Sequence, residues 1–326
     1  MGRNGRLELR ELPAPSPGPD DMLVRTICAG LCGSDLYKIR TRAVPPGTVL
    51  GHEIVGVVER SPQRFSNTFP PGVRVTLSNH VPCGVCRQCR RGRISSCRLF
   101  RTTSVVPGGF AEQVMVPGSH LPDGVISLPA GLEDREALLA EPLGCCLRAM
   151  ERWRPEPGQR IMVIGLGPMG LLMVLTLGWV GVEVIGVDPL GERRRVAEQK
   201  GCAVTCTPSQ AAEGMRVQGV VLTACNTQAL ELAIGAVEPG GWLGLFAGPS
   251  HGEPLEIQIQ QLYREEVDLI PSYSTGPEHM RRALSLLESG ALRVDGLVSQ
   301  ELPIEEVQRA VELAESRAGL KTILRF

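Results

Sequence analysis

The sequence predicts an α/β chain in two parts, a β-rich region and a doubly wound parallel sheet. Three observations predict it. Residues 1–125 are rich in Gly, Pro and β-branched residues, with short apolar runs broken by turn signals. From Glu133 onward, apolar runs alternate with helical spacing. Between them, Val163-Ile-Gly165-Leu-Gly167-Pro168-Met169-Gly170 ends one apolar run and opens an apolar helix.

In chain order, Pro13–Pro19 is a loop, and Met22–Ala29, Ile54–Glu59, Val73–Leu77 and Ala111–Val116 are short strands. Glu133–Arg152 carries Leu, Ala and Met at helical spacing. Then come the strand-like runs Arg160–Ile164, Val182–Val187, Gly219–Ala224, Trp242–Phe246 and Val267–Ile270. Runs apolar on both faces, separated by helices, imply βαβ units. The tail holds amphipathic helices at Met280–Glu288 and Ile304–Glu315 and a strand at Lys321–Arg325. No internal repeat interrupts this pattern.

Composition bounds the function. A chain of 326 residues suggests about two domains. Its 34 basic and 35 acidic residues nearly cancel, so no global field points to nucleic acid or a membrane surface. No apolar run approaches the roughly 20 residues a membrane span needs. The start, Met1-Gly-Arg-Asn-Gly-Arg6, has charge without an apolar run, so no secretory signal is expected. The eleven cysteines are therefore read as reduced thiols and the compartment as cytoplasmic.

The glycine run has a defined mechanics. Gly165 permits the tight turn, Gly167 lets backbone approach a pyrophosphate, and Gly170 lets helix and strand pack closely. The pyrophosphate then meets the free amides at the helix N-terminus. Asp188 follows Gly170 by eighteen residues, at the end of the next strand. An acid there accepts the ribose hydroxyls and repels a 2′-phosphate, favouring NAD over NADP. Gly165, Gly167, Pro168, Met169, Gly170, Asp188 and Arg193 are the candidate cofactor residues. Arg193, Arg194 and Arg195 lie just past Asp188 and keep NADP as the lesser alternative.

Cys83-x2-Cys86-x2-Cys89-x7-Cys97 can converge on one tetrahedral ion, and an all-sulfur site suits zinc. Four sulfurs leave no open position, so this site is expected to hold structure. A second set is scattered: Cys32-Gly-Ser34-Asp35, Gly51-His52-Glu53 and Glu141-Pro142-Leu143. Together they offer one sulfur, one imidazole and carboxylate oxygen, which suits zinc with a vacancy for water or substrate.

These residues, in this order around the cysteine cluster and ahead of the glycine motif, resemble the zinc-dependent medium-chain dehydrogenase/reductase family. The resemblance covers essentially the whole chain and is closest to the polyol, sugar and threonine dehydrogenase branch. Gly108-Gly-Phe-Ala-Glu112 and Pro239-Gly-Gly241 also fit. The resemblance implies a GroES-like β-rich catalytic domain (1–141 and 272–326, with the zinc lobe near 80–100) and a Rossmann domain at 142–271. It implies two zinc ions per chain. Cys32, His52 and Glu53 would hold the catalytic one, with Glu141 as fourth, exchanging or water-mediated ligand and Cys145 as its competitor. The reaction implied is hydride transfer between a secondary alcohol (polyol, sugar, aminocyclitol or amino alcohol) and NAD, giving a ketone. Ser34 would be the first proton relay, and Asp35 would orient the Cys32 loop. A homodimer or homotetramer is expected, through Rossmann edge strands such as the one after Trp242.

The chain departs from the family in places. Tyr37 stands where many members have His, and its ordinary pKa near 10 makes it a poor shuttle at neutral pH. Twenty residues separate Cys32 from His52, a short interval that trims the loop lining the cleft. The first strand before Gly5-Arg-Leu-Glu8 is shortened. Tyr37 and the trimmed loop support the alternative of a catalytically silent NAD(H)-binding protein. Arg87, Arg90, Arg91, Arg93 and Arg98 beside the cysteines allow a nucleic-acid zinc module, against which the neutral chain and missing aromatics weigh. Lys38, Arg40 and Arg42 read as a solvated basic face, with contact to a substrate phosphate as the other reading. Thr223–Asn226, Phe246–Gly248 and Ser272–Ser274 would flank the cofactor.

Overall fold

The computed structural model describes residues 1–2, 6–249, 254–257 and 259–326. Gly5, in the run Gly5-Arg-Leu-Glu8, lies outside them. Two compact units result: Met1–Gly144 with Thr275–Gly290 and Val294–Phe326, and Cys145–Ser274 with Ala291–Arg293.

The first unit begins as β1 (Met22–Leu31), turns through helix α1 (Gly33–Thr41), and continues as β2 (Glu53–Arg60) and β3 (Arg74–Leu77). A cysteine-bearing excursion with the short helices α2 (Arg87–Arg90) and α3 (Arg98–Thr102) precedes β4 (Gln113–Val116) and β5 (Val125–Ser127). Helix α4 (Asp134–Ala137) follows, and α5 (Ala140–Trp153) starts in this unit and has its residues from Cys145 onward in the second.

The second unit runs β6 (Arg160–Ile164), α6 (Pro168–Val180), β7 (Glu183–Val187), α7 (Gly191–Gln199), β8 (Val204–Cys206), α8 (Pro208–Ala211) and β9 (Val217–Leu222). It closes with α9 (Thr227–Ala236), β10 (Val237–Leu245), α10 (Ile259–Arg264) and β11 (Asp268–Pro271). The rest of the first unit is α11 (Pro277–Glu288), β12 (Val298–Pro303), α12 (Val307–Ser316) and β13 (Lys321–Arg325).

The first unit is built around β1. It pairs antiparallel with β4 at Met22–Arg25, with β13 at Cys28–Leu31, and with β2 along most of its length. The sheet order is β12-β13-β1-β2-β3-β5, with β4 joined to β1. Alternate residues Met22, Val24, Ile54, Val58, Val75, Leu77, Val114 and Val116 form its core. Each such burial contributes about 1.5–3 kcal/mol. Helix α1 is not announced by periodicity, since Leu36 and Ile39 are its only large aliphatics.

In the second unit all six strands are parallel, in the order β11-β10-β9-β6-β7-β8. Counted from β6, that is the doubly wound order, reversing between β6 and β9. Met162, Ile164, Ile185, Val187, Val220, Leu222 and Leu243 are buried in its core, as strands covered on both faces require. Among the described residues no helix is long and apolar enough to cross a membrane.

Candidate active site

Strand register brings the first ligand group together. β1 pairs with β2 at Gly30↔Glu53 and with β13 at Leu31↔Thr322. The C-terminal end of β1 therefore meets the first residues of β2 and β13, and Cys32, His52, Glu53 and Lys321 converge there. A ligand atom from each of Cys32, His52 and Glu53 lies within 4.8 Å of the others. Glu141, in the first turn of α5, and Cys145 do not join that group among the described residues.

Local structure fixes each donor. Cys32 caps α1, and its N–H donates to Asp35 Oδ2 at 3.1 Å. Asp35 is fully buried behind the imidazole, with Oδ1 facing His52 Nδ1 at 3.6 Å. That leaves Nε2 on the Ser34 side, where Ser34 Oγ lies 3.5 Å away. A carboxylate behind a ligating histidine fixes ring orientation and raises its basicity. Burial works against the imidazolium, but Asp35 and then Cys32 outweigh it and hold the His52 pKa well above its usual value. Burial likewise opposes the Asp35 carboxylate, and His52 outweighs it, so its pKa is lowered. The charges that favour a proton on His52 favour a cation in its place, so the donor set fits zinc.

Glu53 is wholly buried and paired. Lys321 Nζ donates to its Oε1 at 2.5 Å and also rests against Oε2, with both side chains sealed from solvent. Gly30 makes the room, since a Cβ there would collide with Glu53 Oε2. Sequence reasoning missed Lys321 and Gly30. The available signal for Lys321 is a lysine at the start of an otherwise apolar terminal strand.

The four cysteines also converge, with all four sulfurs inside 4.8 Å. Cys83 and Cys89 sulfurs are 4.0 Å apart and those of Cys86 and Cys89 are 3.5 Å apart. Tetrahedral zinc with Zn–S bonds of about 2.3 Å places sulfurs about 3.8 Å from one another. The site therefore fits zinc, and Cys97, 1 % exposed, also accepts the Cys83 N–H at 3.4 Å. Cys97→Ser is expected to halve zinc content and open the loop near residues 80–100 to protease, lowering the melting temperature, before chemistry changes. Normal zinc, melting and proteolysis in that variant would overturn the structural role.

In the second unit the glycine turn sits at the strand reversal. Gly165, with φ 95°, donates to Val187 O, and Thr223 Oγ1 donates to Gly165 O at 2.6 Å. A Cβ on Gly170 would strike Gly165 O. Asp188 is buried, its Oδ2 accepting from Leu166 N–H at 2.8 Å and its Oδ1 from Leu190 N–H at 2.9 Å. Arg193 Nη1 lies 3.9 Å from Asp188 Oδ2 and beside Gly167, whereas Arg194 is occupied by the Asp188 and Pro189 carbonyls. Pro168 and Met169 open α6, whose thirteen residues direct free amides at the turn. Asn226 caps α9 by accepting the Ala229 N–H, and Thr223 braces the turn, so both have local roles. Gly170→Ala is expected to weaken cofactor binding at least about tenfold and to destabilise the unit, read by NADH fluorescence titration and thermal melting.

The description "Alcohol dehydrogenase GroES-like domain" matches residues 18–129, and "Zinc-binding dehydrogenase" matches residues 168–289. D-altritol 5-dehydrogenase of Agrobacterium fabrum is 30 % identical over 93 % of this chain and 91 % of its own. The chain belongs to the zinc-dependent medium-chain dehydrogenase/reductase family. Sorbitol dehydrogenase of Bacillus subtilis is 28 % identical over 96 % of this dehydrogenase and 92 % of its own chain. A Sinorhizobium meliloti chain described as a zinc-binding dehydrogenase and solved with NADP is 27 % identical. It superposes with a TM-score of 0.87 over 99 % of this dehydrogenase and 96 % of its own chain. The dehydrogenase is thus a zinc-dependent oxidoreductase of alcohols that uses a nicotinamide cofactor, and the silent-binder alternative is not favoured.

Proposed function

We propose that this dehydrogenase oxidises a secondary alcohol of the polyol or sugar class to its ketone with NAD. The observation that carries the reading is the open group of Cys32, His52 and Glu53 beside Ser34, alongside a closed four-sulfur site. The metal chemistry is assigned to residues 1–141 and 272–326 and the cofactor to 142–271. Zinc held by Cys32 and His52, with Glu53 or a water held by Glu141 completing the set, would supply Lewis-acid polarisation of the alcohol oxygen. Bound NAD would accept the hydride.

The chain's own groups do the rest. Ser34 Oγ is exposed and within reach of the His52 ring edge, so it can take the alcohol proton and release it to water. Asp35 keeps the ring oriented. Tyr37 is exposed on the same helix and has no assigned step. Asp188, fixed by two amides, supports NAD over NADP, although the Sinorhizobium relative holds NADP. A homodimer or homotetramer and a cytoplasmic setting complete the proposal.

The test combines metal analysis with a substrate panel. Purified protein should carry two zinc ions per chain and reduce NAD faster than NADP with at least one polyol, sugar derivative or amino alcohol. No cofactor reduction by any alcohol, with both zinc ions bound, would overturn the reading.

A further inference from the structure

Helix α1 carries a second polar group toward the metal group. Ser34 and Lys38 are four residues apart, so they lie one above the other on one face. A helical side chain leans back toward the helix N-terminus, which directs Lys38 toward Ser34 and Cys32. The separation along the helix axis is about 6 Å. Lys38 is half-buried; among the described residues no hydrogen bond or ion pair holds its ammonium, whose charge acts on the buried Asp35 one turn back. Its two cationic neighbours in sequence differ. Arg40 is paired with Glu315 at 3.0 Å, and Arg42 is exposed at the left-handed C-cap.

His80 feels burial first, and both His52 and Lys38 add to lowering its pKa, so Lys38 stands near His80 as well as Asp35. His80 is itself occupied, with Asn79 on Nε2 and the Thr103 carbonyl on Nδ1. The buried Asp35 carboxylate is already engaged by the Cys32 amide and faces His52. A half-buried ammonium whose nearest carboxylate is already engaged, one helical turn from the proposed proton relay, has hydrogen-bonding capacity left for a substrate anion.

We propose that Lys38 selects alcohols bearing a terminal anionic group, a phosphate ester or a carboxylate, about one helical turn from the reacting carbinol. The inference rests on the polyol dehydrogenase reading and narrows its substrate class from neutral polyols to polyol phosphates or polyhydroxy acids. Lys38 acts by positioning: its charge-assisted hydrogen bond holds the far end of the substrate while Ser34 and the metal ligands meet the hydroxyl. Arg at position 38 retains that function, and Met removes it.

The experiment uses the zinc-loaded full chain with NAD and three matched substrates: sorbitol, sorbitol 6-phosphate and gluconate. At least one anionic substrate should exceed sorbitol by about 10- to 100-fold in kcat/KM, the range of one charge-assisted hydrogen bond. The phosphate and carboxylate arms tell which anion is read. In Lys38→Met the anionic-to-neutral ratio should fall toward one, chiefly through KM, while Lys38→Arg keeps most of it. Circular dichroism melting of both variants controls for folding. A wild-type ratio at or below one, or a ratio unchanged by Lys38→Met, overturns the role of Lys38 while leaving the dehydrogenase reading intact. Failure to oxidise any of a broader alcohol panel sinks both.

Discussion

Cys32→Ala is expected to remove one of two zinc ions per chain and to lower kcat/KM by about a thousandfold. Polarisation of an alcohol oxygen by a metal contributes several kcal/mol, and a missing thiolate removes the anchor of that metal. The fold should tolerate the change. Cys32 is only partly buried, and the bond from its N–H to Asp35 Oδ2 is kept in alanine. Zinc by plasma emission, steady-state kinetics and thermal melting separate the effects. Loss of activity with both zinc ions retained would place the catalytic metal elsewhere.

Lys321→Met is expected to destabilise the protein by about 3–5 kcal/mol, because it leaves the Glu53 carboxylate buried without its cation. Burial alone would push the Lys321 pKa down, but Glu53 outweighs it and the ammonium is held charged, with Glu141 a lesser contributor. Glu53 thus stands between two cations, the lysine and the proposed zinc. With Lys321 gone, bound zinc would be the main positive charge left for it, so the loss should shrink when zinc is saturating and grow under chelation. Urea unfolding with and without a chelator measures both. Equal stability of wild type and variant in either condition would show that the pair has no structural weight.

Much of the fold and part of the site can be read along the chain. Cys83, Cys86, Cys89 and Cys97 lie so close in sequence that a tight loop alone can bring them together. Gly165 to Gly170 likewise states its geometry locally, and the collision awaiting a Cβ at Gly170 is the close helix–strand packing such a turn needs. The apolar runs of β6, β7, β9 and β10 identify a parallel sheet because both faces are covered. Helix α1 is harder to read. It starts at a cysteine cap, carries a buried acid and presents no broad apolar stripe.

The sequence by itself determined what is local: two residue sets whose chemistry could hold a metal, a glycine turn followed by an acid at Asp188, and an α/β chain with a parallel sheet. Only the tertiary structure decided how distant residues share charge. Glu53 and Lys321 are 268 positions apart and meet because β2 and β13 flank the same end of β1. Asp35 lies behind His52 and Lys38 above Ser34 because a helix follows that strand end. Residue type and spacing limit which groups can bind a metal. Strand register and burial decide which carboxylate is already paired with a cation.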